Sequence, residues 1–115
     1  MLPKKHRLTK YADVNLTAAK GRGFFSQSFV IKFLSNSTTI GSRFAIIVSN
    51  KVSKSAVVRN RLKRIIRDEL YNLVDRIRSG NYVIILKRSA INTGPDEIRT
   101  ELNLALSKGK ILKDG

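Results

Sequence analysis

The chain has 115 residues, of which 42% are hydrophobic, so a single domain with a buried core is expected. It contains no cysteine, which excludes disulfide bonds and thiolate metal sites. Its apolar runs are far shorter than the roughly 20 residues that span a bilayer, and no apolar signal segment follows the basic N-terminus. We therefore expect a cytoplasmic protein that has no membrane partner.

The formal net charge is +15, and it is concentrated in the first part of the chain. Up to Arg67 there are 15 Lys and Arg against one acid, Asp13, which leaves +14; the remainder carries +1. A concentrated positive charge attracts polyanions. Repulsion among these charges destabilises the folded state until a partner neutralises them. Solubility alone would explain the net charge but not this polarisation, so a nucleic acid is the expected partner.

The first half of the chain predicts a helix followed by two strands. Residues 8–20 contain few helix breakers and precede two glycines, which favours a short helix. Residues 24–34 alternate in polarity and predict one strand, 35–42 predict a polar connection, and 43–49 predict an apolar central strand. The apolar face of the first strand is expected to carry Phe25, Phe29, Ile31 and Phe33.

The second half predicts a long helix, a strand and a last helix. Residues 55–79 form the main helix, and Gly80 is expected to end it. Residues 81–88 predict an apolar strand, and a helix should run from Pro95 to about Lys108. Apolar residues at spacings of three and four define the packed side of the main helix: Val58, Leu62, Ile65, Ile66, Leu70, Leu73 and Ile77.

This order of elements, α-β-β-α-β-α, predicts an α+β fold. We expect one domain over residues 1–115 that binds a nucleic acid and is built on a small central mixed sheet. A helix joins the second and third strands, so those two strands should be parallel.

The segment KVSKSAVVRNRLKRIIR, residues 51–67, carries seven basic residues and no acid. Cations at the positive end of a helix dipole repel one another and weaken an isolated helix. A bound phosphate backbone makes the same cluster of cations favourable, because arginine presents a planar fork of donors to phosphate oxygens. Asn60 offers both a donor and an acceptor to a base edge or a 2′-hydroxyl. The alternative is a solvated helix face without a partner.

The stretch RNRLKRIIR, residues 59–67, resembles the helix that typifies the bacterial ribonuclease P protein family. KKHRL resembles the N-terminal segment of that family, and FVIKFL, FAIIVSNK and NYVIILKR fall where its strands fall. The resemblance implies a left-handed crossover through the RNR helix, which contacts the catalytic RNA. It also implies that a cleft between the sheet and the first helix holds the 5′ leader of precursor tRNA.

Three groups of residues follow from the charge pattern and this resemblance. The expected RNA-binding residues are Lys51, Lys54, Arg59, Asn60, Arg61, Lys63, Arg64 and Arg67. The expected leader-cleft residues are Val14, Ala18, Phe24, Ser28, Lys32 and Ser49. The expected N-terminal basic arm comprises Lys4, Lys5, His6 and Arg7.

Two departures from the family pattern concern the cleft and the loop before the RNR helix. Val14, Ala18 and Lys32 stand where the family often has aromatic residues, so Phe24 or Phe25 would have to supply any base stacking. The loop 49–58 is one residue longer than the common pattern.

The sequence predicts no catalytic residue and no metal site in the protein itself. Asp68 and Glu69 are adjacent and point about 100° apart on a helix, so they do not form a metal-binding pair. The expectation is that Mg²⁺ is held by the RNA subunit and substrate, and that no small-molecule substrate binds. The alternatives are a small ribosomal or other structural RNA-binding protein and a basic helix that binds anionic membranes.

Overall fold

In a computed structural model, three α-helices and four β-strands form within residues 2–35 and 41–112, the part of the chain that is described. Short 3₁₀ turns connect several of these elements. The helices are α1 (Tyr11–Lys20), α2 (Ala56–Leu73) and α3 (Pro95–Lys108). The strands are β1 (Arg22–Phe25), β2 (Phe29–Leu34), β3 (Ser42–Ile47) and β4 (Gly80–Leu86).

The four strands form one mixed sheet in the order β1-β2-β4-β3. β1 pairs with β2 and β2 with β4 in antiparallel fashion, whereas β3 and β4 are parallel. The predicted α+β fold is confirmed, and so is the parallel pair that α2 connects. The left-handed sense of that crossover stays an expectation from the resemblance. The predicted connection 35–42 lies largely outside the described residues.

The prediction of one strand over residues 24–34 is wrong, because a turn at residues 26–28 divides it into β1 and β2. Ser26 N donates to Phe29 O at 2.9 Å and closes the turn. The turn also resets the side-chain alternation. Phe25 is paired with Val30, whereas Phe29 is paired with Leu86, so Phe25 and Phe29 face opposite sides of the sheet.

The two faces of the sheet are covered by different helices. One face carries Phe29, Ile31, Tyr82 and Ile84, which pack with the buried side chains of α2 and α3 into one hydrophobic core. The other face carries Val83, which is fully buried although it lies outside that core. α1 contacts β2 and β4 and therefore covers part of this second face. Burial on both faces explains why β4 is apolar at each consecutive position from Val83 to Leu86.

The main helix packs as predicted but is shorter. Ser55 caps it by accepting a hydrogen bond from Val58 N at 3.3 Å. α2 ends at Leu73, not at Ser79, and a 3₁₀ turn follows because Ile77 leaves the helix to pair with Leu112. The side chains buried along α2 are Leu62, Ile65, Ile66, Leu70 and Leu73, all members of the predicted apolar face.

Gly80 does not end the helix, because it is the first residue of β4. Its φ of +147° lies in the region that favours glycine. A Cβ at this position would lie 2.5 Å from a ring carbon of Phe33 and 3.1 Å from Leu34 O. The glycine therefore allows β4 to begin against the end of β2.

The two outer helices also agree with their sequence signals. α3 runs from Pro95 to Lys108 with acids in its first turn, as predicted. α1 begins at Tyr11, three residues later than expected, because Leu8 N donates to Phe44 O at 2.8 Å and Leu8 is buried. Of the helices within the described residues, none combines the length and the apolarity needed to cross a bilayer.

Candidate nucleic-acid interface

The polar residues of the first half of α2 form a cationic face, which we term the RNR surface. Asn60, Arg61 and Arg64 are exposed, and Arg59, Lys63 and Arg67 are half-buried. The apolar residues of the same helix are fixed in the core, so the rotation of α2 directs these groups away from the sheet. The members of the RNR surface are Arg59, Asn60, Arg61, Lys63, Arg64 and Arg67.

The loop before α2 is held by two arginines. Arg59 Nη1 donates to Ser53 O at 2.9 Å, and Arg88 Nε donates to Lys51 O at 3.2 Å. Val52 is buried within this loop, whereas Lys51 and Lys54 are exposed beside the RNR surface. Arg88 was missed by the sequence reasoning, since it follows β4 and lies 37 positions from Lys51. Only the tertiary structure brings it to this loop.

The N-terminal basic arm is fixed along the free edge of β3. His6 is half-buried and its Nδ1 lies 2.7 Å from Ser42 O, so this ring orients the arm. Arg7 forms a bridge with Phe44, and its Nε donates to Leu2 O at 3.0 Å. Lys4 and Lys5 are exposed in the preceding 3₁₀ turn.

The arm and the RNR surface meet at a hollow of about 420 Å³. Arg7 reaches it from the arm, and Lys63 and Arg67 reach it from α2. Leu2, Leu8 and Phe44 contribute apolar walls. Three cations that converge beside an apolar wall raise the local positive potential, which favours an anionic ligand such as a phosphate group.

Five of the six predicted cleft residues are at least partly exposed, and Ser28 is the buried one. Val14 and Ala18 are half-buried one helical turn apart on α1, on either side of the buried Thr17. Lys32 is half-buried on the face of the sheet that α1 covers in part. Ser49 is exposed just after β3, where its carbonyl oxygen accepts a hydrogen bond from Val52 N at 3.0 Å.

Ser28 and Phe24 do not line that cleft, so both predictions are wrong. Ser28 is fully buried, and its hydroxyl bonds to Glu101 and Thr93. Phe24 is paired with Ile31 and therefore faces the core side of the sheet. There its ring packs so closely on Gly109 that a Cβ would lie 2.7 Å away. The unpredicted strand break is the cause of both errors, because it inverted the alternation.

Phe25 is the aromatic residue that the hairpin presents to solvent. It is 73% exposed, and Lys32 Nζ lies 5.9 Å from the centroid of its ring. This distance is compatible with a cation–π contact. Of the two phenylalanines considered for base stacking, only Phe25 is placed to contact a ligand on this side of the sheet.

Several acidic side chains in the described ranges are engaged by neighbours within the protein. Glu69 Oε2 accepts from Asn103 Nδ2 at 2.6 Å, and Asp96 forms an ion pair with Arg99 at 2.8 Å. Glu101 accepts from the turn between β1 and β2. Across residues 2–35 and 41–112, no three His, Asp or Glu side chains are grouped as metal ligands would be.

Comparisons with known proteins give a consistent assignment. The family model described as Ribonuclease P matches residues 2–110. The Ribonuclease P protein components of Listeria welshimeri and of a Pseudanabaena strain are each 34% identical to this chain. Both alignments cover 97% of this chain, and they cover 94% of the Listeria protein and 97% of the Pseudanabaena protein. A structure of a Staphylococcus aureus RNase P protein mutant with defective mRNA degradation activity superposes with a TM-score of 0.90. It is 28% identical, and 95% of this chain and 92% of that chain are covered.

The chain therefore belongs to the ribonuclease P protein family, the protein subunits of the RNA-containing endoribonuclease that processes tRNA.

Proposed function

We propose that this protein binds the catalytic RNA of ribonuclease P through the RNR surface and holds the 5′ leader of precursor tRNA against the sheet. The RNA then removes the leader, and the protein contributes no catalytic group. We place this activity in the cytoplasm.

The observation that carries the proposal is the exposure of the RNR surface beside two further cationic segments. Lys51 and Lys54 extend it at the start of α2, and Arg7 extends it at the hollow shared with the N-terminal arm. If about six of these groups each contact a phosphate, affinity falls on the order of 10³-fold between 50 and 200 mM salt. Such a surface screens the repulsion between two RNA molecules.

The leader is assigned to the side of the sheet that α1 covers in part. We expect Val14, Ala18, Lys32 and Ser49 to line it, and each of them is at least partly exposed. Lys32, which is half-buried on this face, offers a charge to a leader phosphate. Family membership supports this role over the ribosomal alternative, since its relatives carry the name of the ribonuclease P component.

We assign the Mg²⁺ ions of the reaction to oxygens of the RNA subunit and substrate. The carboxylates of Glu69, Asp96 and Glu101 each already have partners within the protein, namely Asn103, Arg99 and the serines of the β1–β2 turn. The protein acts on the metal indirectly, because neutralised phosphates let the RNA fold and bind substrate at lower Mg²⁺.

Reconstitution with a bacterial ribonuclease P RNA at low Mg²⁺ tests this proposal. We expect the protein to increase the rate of leader removal, and a variant with Arg61→Gln and Arg64→Gln to do so far less. No stimulation by the wild-type protein would contradict the proposed role. Leader removal by purified protein free of RNA would contradict the assignment of the chemistry to the RNA.

A further inference from the structure

A second hollow lies between the β1–β2 turn and α3, away from the RNR surface. It encloses about 370 Å³, which is within the size range of small-ligand pockets, from roughly 300 Å³ upward. Phe25 lines it from the end of β1, and Leu104 and Lys108 line it from α3.

The apolar walls of this hollow are unusually exposed for their residue types. Phe25 is 73% exposed and Leu104 is 54% exposed, although the core beside them is closed. Single exposed apolar residues are common on protein surfaces. Two that border one hollow form an apolar patch able to accept a flat ligand, and only Phe25 offers an aromatic face.

Two lysines belong to the surroundings of Phe25. Lys32 Nζ lies 5.9 Å from the ring centroid on the cleft side of the sheet, and Lys108 lines the hollow on the α3 side. Gly23 leaves space for this arrangement, because a Cβ there would lie 3.2 Å from Lys32 Nζ and 3.4 Å from a ring carbon of Phe25.

The carboxylate of Glu101, which also borders the hollow, is bonded on its protein side. Its Oε1 accepts from Ser26 Oγ at 2.5 Å and from Ser28 N at 3.0 Å, and its Oε2 accepts from Ser28 Oγ at 2.7 Å. These donors satisfy much of its charge and hold the turn rigidly. The hollow therefore offers a ligand the aromatic ring of Phe25, the aliphatic side chain of Leu104 and the ammonium group of Lys108, and Ser26, Gln27 and Ala105 complete its lining.

We propose that this hollow is a nucleotide-binding site for single-stranded RNA, in which a base stacks on Phe25 and the flanking phosphates contact Lys32 and Lys108. An exposed aromatic ring beside cations is the combination that sequence-independent single-strand binding uses. Lys32 belongs to the leader cleft, so a leader that leaves the cleft crosses the edge of β1 and reaches α3. The inference rests on the proposed function and adds this second segment of the leader path.

The test compares Phe25→Leu with Phe25→Trp in the reconstituted holoenzyme. Precursor tRNA with a long leader and precursor tRNA with a single-nucleotide leader are the two ligands, and their dissociation constants are measured. We expect Phe25→Leu to weaken binding of the long leader by at least about five-fold, the lower limit for loss of one stacked base. Phe25→Trp should restore it, and the short leader should bind all variants equally.

Two further measurements identify the contact itself. A 2-aminopurine placed in the long leader should lose fluorescence on binding to the wild-type protein and regain it with Phe25→Leu. Lys108→Gln should lower the slope of log affinity against log salt concentration by about 0.7, the value for one phosphate of a single strand. Arg99→Gln is the matched control for Lys108→Gln, because Arg99 is a cation of the same helix that lines neither hollow.

Unchanged binding of the long leader by Phe25→Leu would overturn the inference, provided that the wild-type protein stimulates cleavage. A wild-type protein that fails to stimulate cleavage would instead contradict the proposed function. The other possible occupant of the hollow is a second copy of the chain, and sedimentation of the free protein tests for it by measuring the oligomeric state. A dimer that Phe25→Leu dissociates would assign the hollow to self-association and overturn the inference.

Discussion

The hydroxyl of Ser28 donates to Glu101 Oε2 at 2.7 Å and ties the β1–β2 turn to α3, across 73 positions of sequence. The amide of Ser28 and the hydroxyl of Ser26 donate to the other carboxylate oxygen. The carboxylate of Glu101 thus provides hydrogen-bond acceptors for Ser26 and Ser28. Ser28 is fully buried, so its polar groups need such a partner within the protein. This contact positions Phe25, because Phe25 immediately precedes the turn.

The ionised form of Glu101 should stabilise the fold. Burial alone would raise the pKa of Glu101, but the hydrogen bonds from Ser26 and Ser28 outweigh it and lower the pKa below the ordinary 4.5. The stabilisation is therefore complete above that ordinary value and is lost as the pH falls through the lower value of the folded state. Glu101→Gln should reduce the free energy of unfolding by about 1–3 kcal/mol at pH 7.

Urea unfolding of the wild type and Glu101→Gln at several pH values measures this effect. The difference in free energy should shrink as the pH falls below about 4.5. Glu97→Gln is the control, because Glu97 is exposed on the same helix and its loss should change stability by less than about 0.5 kcal/mol. A difference that stays constant down to acid pH would contradict the role of the ionised carboxylate.

The charges of the RNR surface should make RNA binding depend strongly on salt concentration. Replacing Arg61 and Arg64 together by glutamine removes two exposed charges while the buried face of α2 stays intact. The slope of log affinity against log salt concentration should fall by about 1.4–1.8. Filter binding to the catalytic RNA at several salt concentrations measures it. Arg99→Gln, on α3, should leave the slope unchanged; an equal effect there would indicate nonspecific attraction.

Arg88 should support RNA binding through the loop that it holds. Its Nε donates to Lys51 O at 3.2 Å, so Arg88→Gln releases the loop that carries Lys51 and Lys54. Affinity for the catalytic RNA should fall several-fold, with a change in stability within about 0.5 kcal/mol because Arg88 is exposed. Arg76→Gln removes an equally exposed charge elsewhere on the surface. Equal losses in the two variants would rule out a role for the loop contact.

Gly80→Ala should destabilise the fold through backbone and packing together. The φ of +147° disfavours any residue with a Cβ, and that Cβ would meet the ring of Phe33 at 2.5 Å. We expect a loss of at least about 1–3 kcal/mol, the range for such backbone strain. Thermal and urea unfolding measure it. Ser79→Ala, at the exposed neighbouring position, should stay within about 0.5 kcal/mol.

Several elements could be predicted because their signals are local and repeated. The spacing of Leu62, Ile66 and Leu70 defines the buried side of α2, and the same helical period directs Arg61 and Arg64 to solvent. α3 was predicted from Pro95 to Lys108 because both of its ends carry the charges that a helix dipole favours. For these residues the distance along the chain determines the geometry.

The leader-cleft assignments were less accurate because they depend on one turn. Phe25 and Phe29 are four residues apart, so uninterrupted alternation places them on one face of a strand. Ser26 and Ser28 instead bond to Glu101, and that distant carboxylate makes a three-residue turn stable. Ser28 and Phe24 were assigned to the wrong surroundings as a result.

By itself, the sequence determined the order of elements, the apolar and cationic sides of α2 and the resemblance to ribonuclease P proteins, since these depend on residue type and short spacing. Only the tertiary structure decided that Arg88 holds the loop of Lys51 and that Arg7 joins Lys63 and Arg67. It also decided that Phe25 faces solvent near Lys32 and shares a hollow with Lys108. The reason is that these neighbouring residues belong to separate elements. Packing of the sheet and helices determines which of them meet, and no regular spacing in the sequence indicates it.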